Sequence, residues 1–157
     1  MLTKLLIIII AFSGLLMGYL LTFLVKEEIK PGQKYFLWLE RFFRLVIIIV
    51  LLWIIATPKA MLLPFILGII VGFFLKIRYF YLGLAIAAAS SLPVNMFVVV
   101  ATLIFIYGFP YGSISSKLKL PFHAVLFFIP VFIMLFFSPN NTSAILAFVA
   151  GALVLQK

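Results

Sequence analysis

The chain contains no cysteine and no aspartate, a single histidine (His123), and only three acids, Glu27, Glu28 and Glu40. Without cysteine there is no disulfide and no Cys-ligated metal or cluster, and the redox compartment stays open. Three glutamates are too few for the several acidic ligands of a Mg²⁺-diphosphate site. They also leave no aspartate pair for an intramembrane protease. One histidine rules out an HExxH zinc protease. His123 coexists with several serines, but no Gly-x-Ser-x-Gly accompanies them, and no P-loop or GxGxxG pattern occurs. Catalysis is therefore not the expected role, and no cofactor or metal is expected.

Charge is scarce as well. Charged residues make up 10% of the chain against 68% hydrophobic, and the mean hydropathy is +1.41. A globular core in water needs far less apolar surface, so lipid is the expected solvent. The net charge of +9 can signal nucleic-acid binding. Here, however, the lysines and arginines fall at the breaks between apolar runs, as the positive-inside rule requires, so no nucleic-acid partner is expected.

The 157 residues suit one all-α domain, a polytopic bundle of about seven short spans. These are expected near 2–25, 35–57, 60–75, 79–91, 94–107, 121–137 and 142–155. The first run is too long for a signal h-region, lacks a small-x-small cleavage site, and reads as a retained span. Pro31-Gly32 marks a turn in the polar stretch that follows it. The run Tyr79–Tyr107 would be about 43 Å long as one helix, more than a hydrocarbon core of about 30 Å. Pro93 divides it; if it did not, there would be six spans. Ser138-Pro-Asn-Asn141 reads as a tight turn.

The basic residues favour the split. With the N-terminus outside and the C-terminus cytoplasmic, seven spans place Lys26, Lys30, Lys34, Arg41, Arg44, Lys76, Arg78, Lys117, Lys119 and Lys157 inside. Only Lys4 and Lys59 remain outside. A single span across Tyr79–Tyr107 would move Lys117, Lys119 and Lys157 to the other side. The expected location is the cell membrane, multi-pass.

Two polar features stand out within the apolar runs. Glu40, Arg41 and Arg44 lie early in the second span, and Glu40 and Arg44 share a helix face at i,i+4. They read either as a snorkelling anchor or as the lining of a cytoplasmic vestibule that attracts an anion or a lipid headgroup. The second feature is the break at Ser90, Ser91, Pro93 and Asn95, either an ordinary turn with Asn95 as a cap or a re-entrant substrate site. His123, two residues after Pro121, reads as a hydrogen-bonded anchor rather than a proton switch.

Packing motifs are clearer. Gly14 and Gly18, and Gly68 and Gly72, form GxxxG pairs, and Ala147 to Gly151 is a small-xxx-small variant; such faces let helix backbones approach closely. Sequence alone leaves open whether they pair within one chain or between chains. The small-residue run Ala85–Ser91 is expected to be enclosed by other helices.

Gly14-Leu-Leu-Met-Gly-Tyr-Leu-Leu, then Lys26-Glu-Glu-Ile-Lys, then a long apolar helix, resembles the opening of auxin-efflux-type carriers. The likeness covers under a third of the chain. It lacks the proline those carriers tend to have in the second span, and this chain is about half their length. The resemblance implies transport. Two roles follow: a transporter or channel for a small solute, working alone or as a homo-oligomer, or a non-catalytic subunit of a larger membrane complex. The expected partners are the lipid bilayer and other membrane protein subunits or copies of the chain.

Overall fold

A computed structural model describes residues 2–24, 26–55, 58–114, 120–136 and 141–156, with side chains described for all of these except 23, 26–31, 58–60 and 135–136. Residues 117, 119 and 157, the side chains of Lys26, Glu27, Glu28, Lys30 and Lys59, and the 138–140 part of the expected turn lie outside the described residues. Among the described residues there are seven helices and no strand. They are α1 (Leu2–Leu24), α2 (Lys26–Ile54), α3 (Pro58–Phe74), α4 (Arg78–Ala89), α5 (Val94–Ile114), α6 (Leu120–Phe136) and α7 (Thr142–Val154). Two of the helical stretches, Leu2–Thr22 and Val94–Ile114, are long and apolar enough to cross a membrane; four more are apolar but shorter.

The 79–107 run is broken where proline dictates. Ser91 N–H donates to the Ala88 carbonyl (3.1 Å) and Leu92 N–H to the Ala89 carbonyl (2.9 Å), which tightens the last turn of α4. The chain then restarts as α5 with Phe97 N–H on the Pro93 carbonyl (3.1 Å). Asn95 is the second residue of α5 rather than its cap.

Two expected connections are helical instead. Lys26–Lys34 belongs to α2, so Pro31-Gly32 makes no turn; the Lys, Glu and Gln around it are good helix formers. Helix α5 continues past Tyr107 to Ile114, through Gly108, Pro110 and Gly112. Those residues disfavour a helix in water. Here both glycines are spent on contact with another helix, and Ser113 Oγ ties the last turn down by donating to the Phe109 (2.9 Å) and Gly18 (3.2 Å) carbonyls.

Small residues organise the packing into three parallel helix pairs. Gly14 and Gly18 of α1 lie against Phe105 and Phe109 of α5, while Gly108 and Gly112 of α5 lie against Gly14 and Leu15 of α1. Thr22 Oγ1 closes this seam on the Ser113 carbonyl (3.3 Å). Gly68 and Gly72 of α3 meet Phe148 and Ala152 of α7, and Gly151 of α7 meets Phe65. Gly83 of α4 meets Phe127 of α6. At each of these glycines a Cβ would strike the partner backbone, so the glycine faces of α1, α3 and α7 find their partners within one chain.

Helix α4 lies at the centre, against α5, α6 and α7. Tyr79, Tyr81, Leu82, Gly83 and Ala85–Ala89 are all buried. The α2 residues Ile47, Ile48 and Leu51 complete the core. Outward faces stay apolar: Leu62, Leu63, Phe73 and Phe74 of α3, and Leu45, Ile49 and Trp53 of α2, are exposed. The two ends of the bundle differ. At one end Lys4 Nζ donates to the Ser90 carbonyl (2.7 Å); Arg41, Arg44, Lys76 and Arg78 gather at the other.

Candidate functional site

Glu40 sits on the inward face of α2 and is 4% exposed. A carboxylate so removed from water must be paired or hydrogen-bonded. Its Oε1 accepts from Arg78 Nη1 of α4 at 3.0 Å and from the Tyr107 hydroxyl of α5 at 3.0 Å. Arg44, one turn along α2, places Nη1 3.8 Å from the same oxygen. That is an ion pair in charge but too long for a hydrogen bond. Arg44 Nη1 is buried and has no hydrogen-bond partner among the described residues. Leaving such a donor unmade costs about 1–3 kcal/mol, and more for a charged group.

Aromatic rings extend the cluster inward. The Arg78 guanidinium lies 5.3 Å from the centroid of the Tyr111 ring, a cation–π contact. Tyr111 stacks on Tyr107 (5.8 Å), meets the Tyr79 ring (5.1 Å), and brings its hydroxyl 3.5 Å from His123 Nε2. The lone histidine is buried among rings, with Tyr79 at 5.1 Å.

Part of this cluster borders an open cavity of about 740 Å³. Glu40, Arg41, Arg44, Lys76 and Arg78 line it together with Tyr111 and Gln156, and Leu37, Ile114, Val154 and Leu155 form its apolar remainder. The volume falls within the usual range for small-molecule sites, roughly 300–1,000 Å³. Four cations face one carboxylate, and that carboxylate is already paired, so the field inside is positive. Gln156 shapes the wall: its Nε2 donates to the Gly72 (3.1 Å) and Leu75 (3.0 Å) carbonyls at the end of α3, where helix carbonyls lack partners. Tyr81 also donates to the Leu75 carbonyl, at 3.1 Å.

The Glu40, Arg41 and Arg44 trio singled out by sequence thus lines one cavity. The Ser90, Ser91, Pro93 and Asn95 break does not; it lies at the opposite end, beside Lys4. Sequence reasoning missed Arg78, Tyr107, Tyr111, Lys76 and Gln156 as members of the site. Tyr107 and Tyr111 are i,i+4 on one helix, a signal hidden by ending α5 at Tyr107. Among the described residues no group of His and Glu side chains could hold a metal. No family model, curated protein or solved structure matches this chain, so the resemblance to auxin-efflux-type carriers gains no support from them.

Proposed function

We propose that the chain is a seven-span protein of the cell membrane that carries a small anionic solute, with the basic cavity as its cytoplasmic vestibule. The single observation that carries this reading is an open, net-cationic cavity at one end of an otherwise apolar bundle. The membrane setting draws on the exposed apolar faces and on two exposed tryptophans of α2, Trp38 (67%) and Trp53 (77%). They stand about 22 Å apart along the helix, and tryptophan is a residue enriched at membrane interfaces. The basic end faces the cytosol by the positive-inside rule. The short helices are accommodated by local thinning of the bilayer and by shielding from neighbours.

In this reading an anion drawn into the mouth meets Arg41 and Lys76 first, then Arg44 and Arg78 deeper in. Glu40 and Tyr107 hold Arg78 in place and stop the anion from binding so tightly that it cannot leave. Beyond them the aromatic and alanine-rich core closes the far side, so release there requires the α4–α5 region to move.

Purified protein in liposomes should show saturable uptake of at least one of radiolabelled chloride, sulfate, phosphate or succinate, lowered at least tenfold by Arg44→Gln. Uptake no faster than in empty liposomes for all four would defeat the proposal. A second reading, a non-catalytic subunit, draws on the continuous exposed apolar face of α3. It predicts stoichiometric co-purification of another membrane protein in mild detergent, and isolation as a stable homo-oligomer would remove it.

A further inference from the structure

Resting on the reading of the cavity as an anion vestibule, we infer that its ligand carries a phosphate monoester, either as a soluble solute or as the headgroup of a lipid. Three features of the cavity select this chemistry among anions.

The first is charge. Arg41, Arg44, Lys76 and Arg78 outnumber Glu40 by three. Neither Arg41 nor Lys76 makes an ion pair among the described residues. A monocarboxylate or a halide neutralises one of those charges, whereas a phosphate monoester brings about −1.5 to −2.

The second is geometry. Three of the four cations are guanidiniums, planar forks that match phosphate oxygens two at a time. Arg44 Nη1 is buried, without a hydrogen bond, and beyond hydrogen-bond distance of Glu40. Glu40 Oε1 already accepts from Arg78 and Tyr107. The Arg44 side chain nevertheless lines the cavity and is 13% exposed, so a phosphate can meet the accessible part of its guanidinium while its other oxygens face Arg41 and Lys76.

The third is the remaining space. A cavity of about 740 Å³ exceeds what a bare ion fills. Its Leu37, Ile114, Val154 and Leu155 flank suits the carbon portion of an ester.

The test uses the full chain in phosphatidylcholine nanodiscs, titrated calorimetrically with glycerol 3-phosphate and, separately, with succinate and sulfate. Saturable binding of glycerol 3-phosphate at least tenfold tighter than either competitor is expected. Arg44→Lys, which keeps the charge and loses the fork, should weaken it at least tenfold. Lys76→Gln, at an exposed side chain that leaves the fold intact, should weaken it at least threefold. Lys4→Gln at the opposite end should change it less than twofold.

Doping the nanodiscs with phosphatidic acid separates the two sources. Suppressed binding of glycerol 3-phosphate assigns the lipid headgroup, and undiminished binding assigns the soluble ester. Equal affinity for succinate or sulfate, or no effect of both Arg44→Lys and Lys76→Gln, overturns the inference. So does the absence of glycerol 3-phosphate binding combined with no enrichment of phosphatidic acid over phosphatidylcholine on the protein. Uptake of an anion in liposomes without phosphate-ester preference would leave transport standing and this inference overturned; ester binding without uptake of any anion would do the reverse.

Discussion

The Glu40 carboxylate and the Arg78 guanidinium, 38 residues apart in sequence, meet at 3.0 Å and fasten α2 to the start of α4. Removing one member of such a buried pair leaves the other charged and poorly solvated, at a cost of about 3–5 kcal/mol. Arg78→Ala is expected to lower the thermal unfolding midpoint in detergent far more than the double change Glu40→Leu with Arg78→Met, which removes both charges together. Equal midpoints for Arg78→Ala and the unaltered protein would show that the pair does not hold the two helices.

The glycine seams make a contrasting pair of predictions. A Cβ at Gly14 would strike the Phe105 carbonyl of α5, so Gly14→Ala forces α1 and α5 apart. Such overpacking costs on the order of 1–3 kcal/mol. At Gly32 of α2 the nearest atoms to a new Cβ belong to the Phe36 ring, 3.7 Å away. Gly32→Ala should therefore stabilise by roughly 0.5–1 kcal/mol through helix propensity alone. Unfolding of the two variants by sodium dodecyl sulfate titration should shift in opposite directions.

Gln156 is a third target. Its two donated bonds satisfy carbonyls at the end of α3. Gln156→Leu keeps the bulk and loses both bonds; Tyr81 still donates to the Leu75 carbonyl, so the cost is about 1–3 kcal/mol for the Gly72 carbonyl alone. Faster hydrogen exchange at the C-terminal turn of α3 is the expected local sign, with the α1–α5 seam unchanged.

Sidedness is open to direct labelling. Lys76→Cys in the cavity rim and Ser91→Cys at the opposite end lie at exposed positions. A membrane-impermeant maleimide applied to intact cells should label Ser91→Cys and spare Lys76→Cys; inverted vesicles should give the opposite pattern. Labelling of both from the same side would sink the seven-span arrangement.

How much of this was legible beforehand depended on the range of each signal. Pro93 and its flanking serines act within a few residues, and the break falls where they put it. The Gly14, Gly18, Gly68 and Gly72 spacing marked contact faces correctly as surfaces, but the partner of each lies 80 or more residues away, beyond any periodicity. The same distance hid Gly108 and Gly112. Read alone they resemble loop residues, and only the backbone of α1 opposite them explains a helix there. Glu40 and Arg44 were visible as neighbours on one face. Arg78 and Tyr107 were invisible as their companions, because nothing local in either residue's surroundings names a carboxylate two or three helices away.

The pairing of α1 with α5, α3 with α7 and α4 with α6 sets a timetable for biogenesis. Because each seam joins non-consecutive helices, none can close when its first helix emerges from the ribosome. A nascent chain extended only to Ile114 can zip α1 onto α5, yet leaves the glycine faces of α3 and α4 bare until α6 and α7 are made. Those two bare faces are where an insertion chaperone would hold the half-built protein, and where a stalled chain would aggregate first.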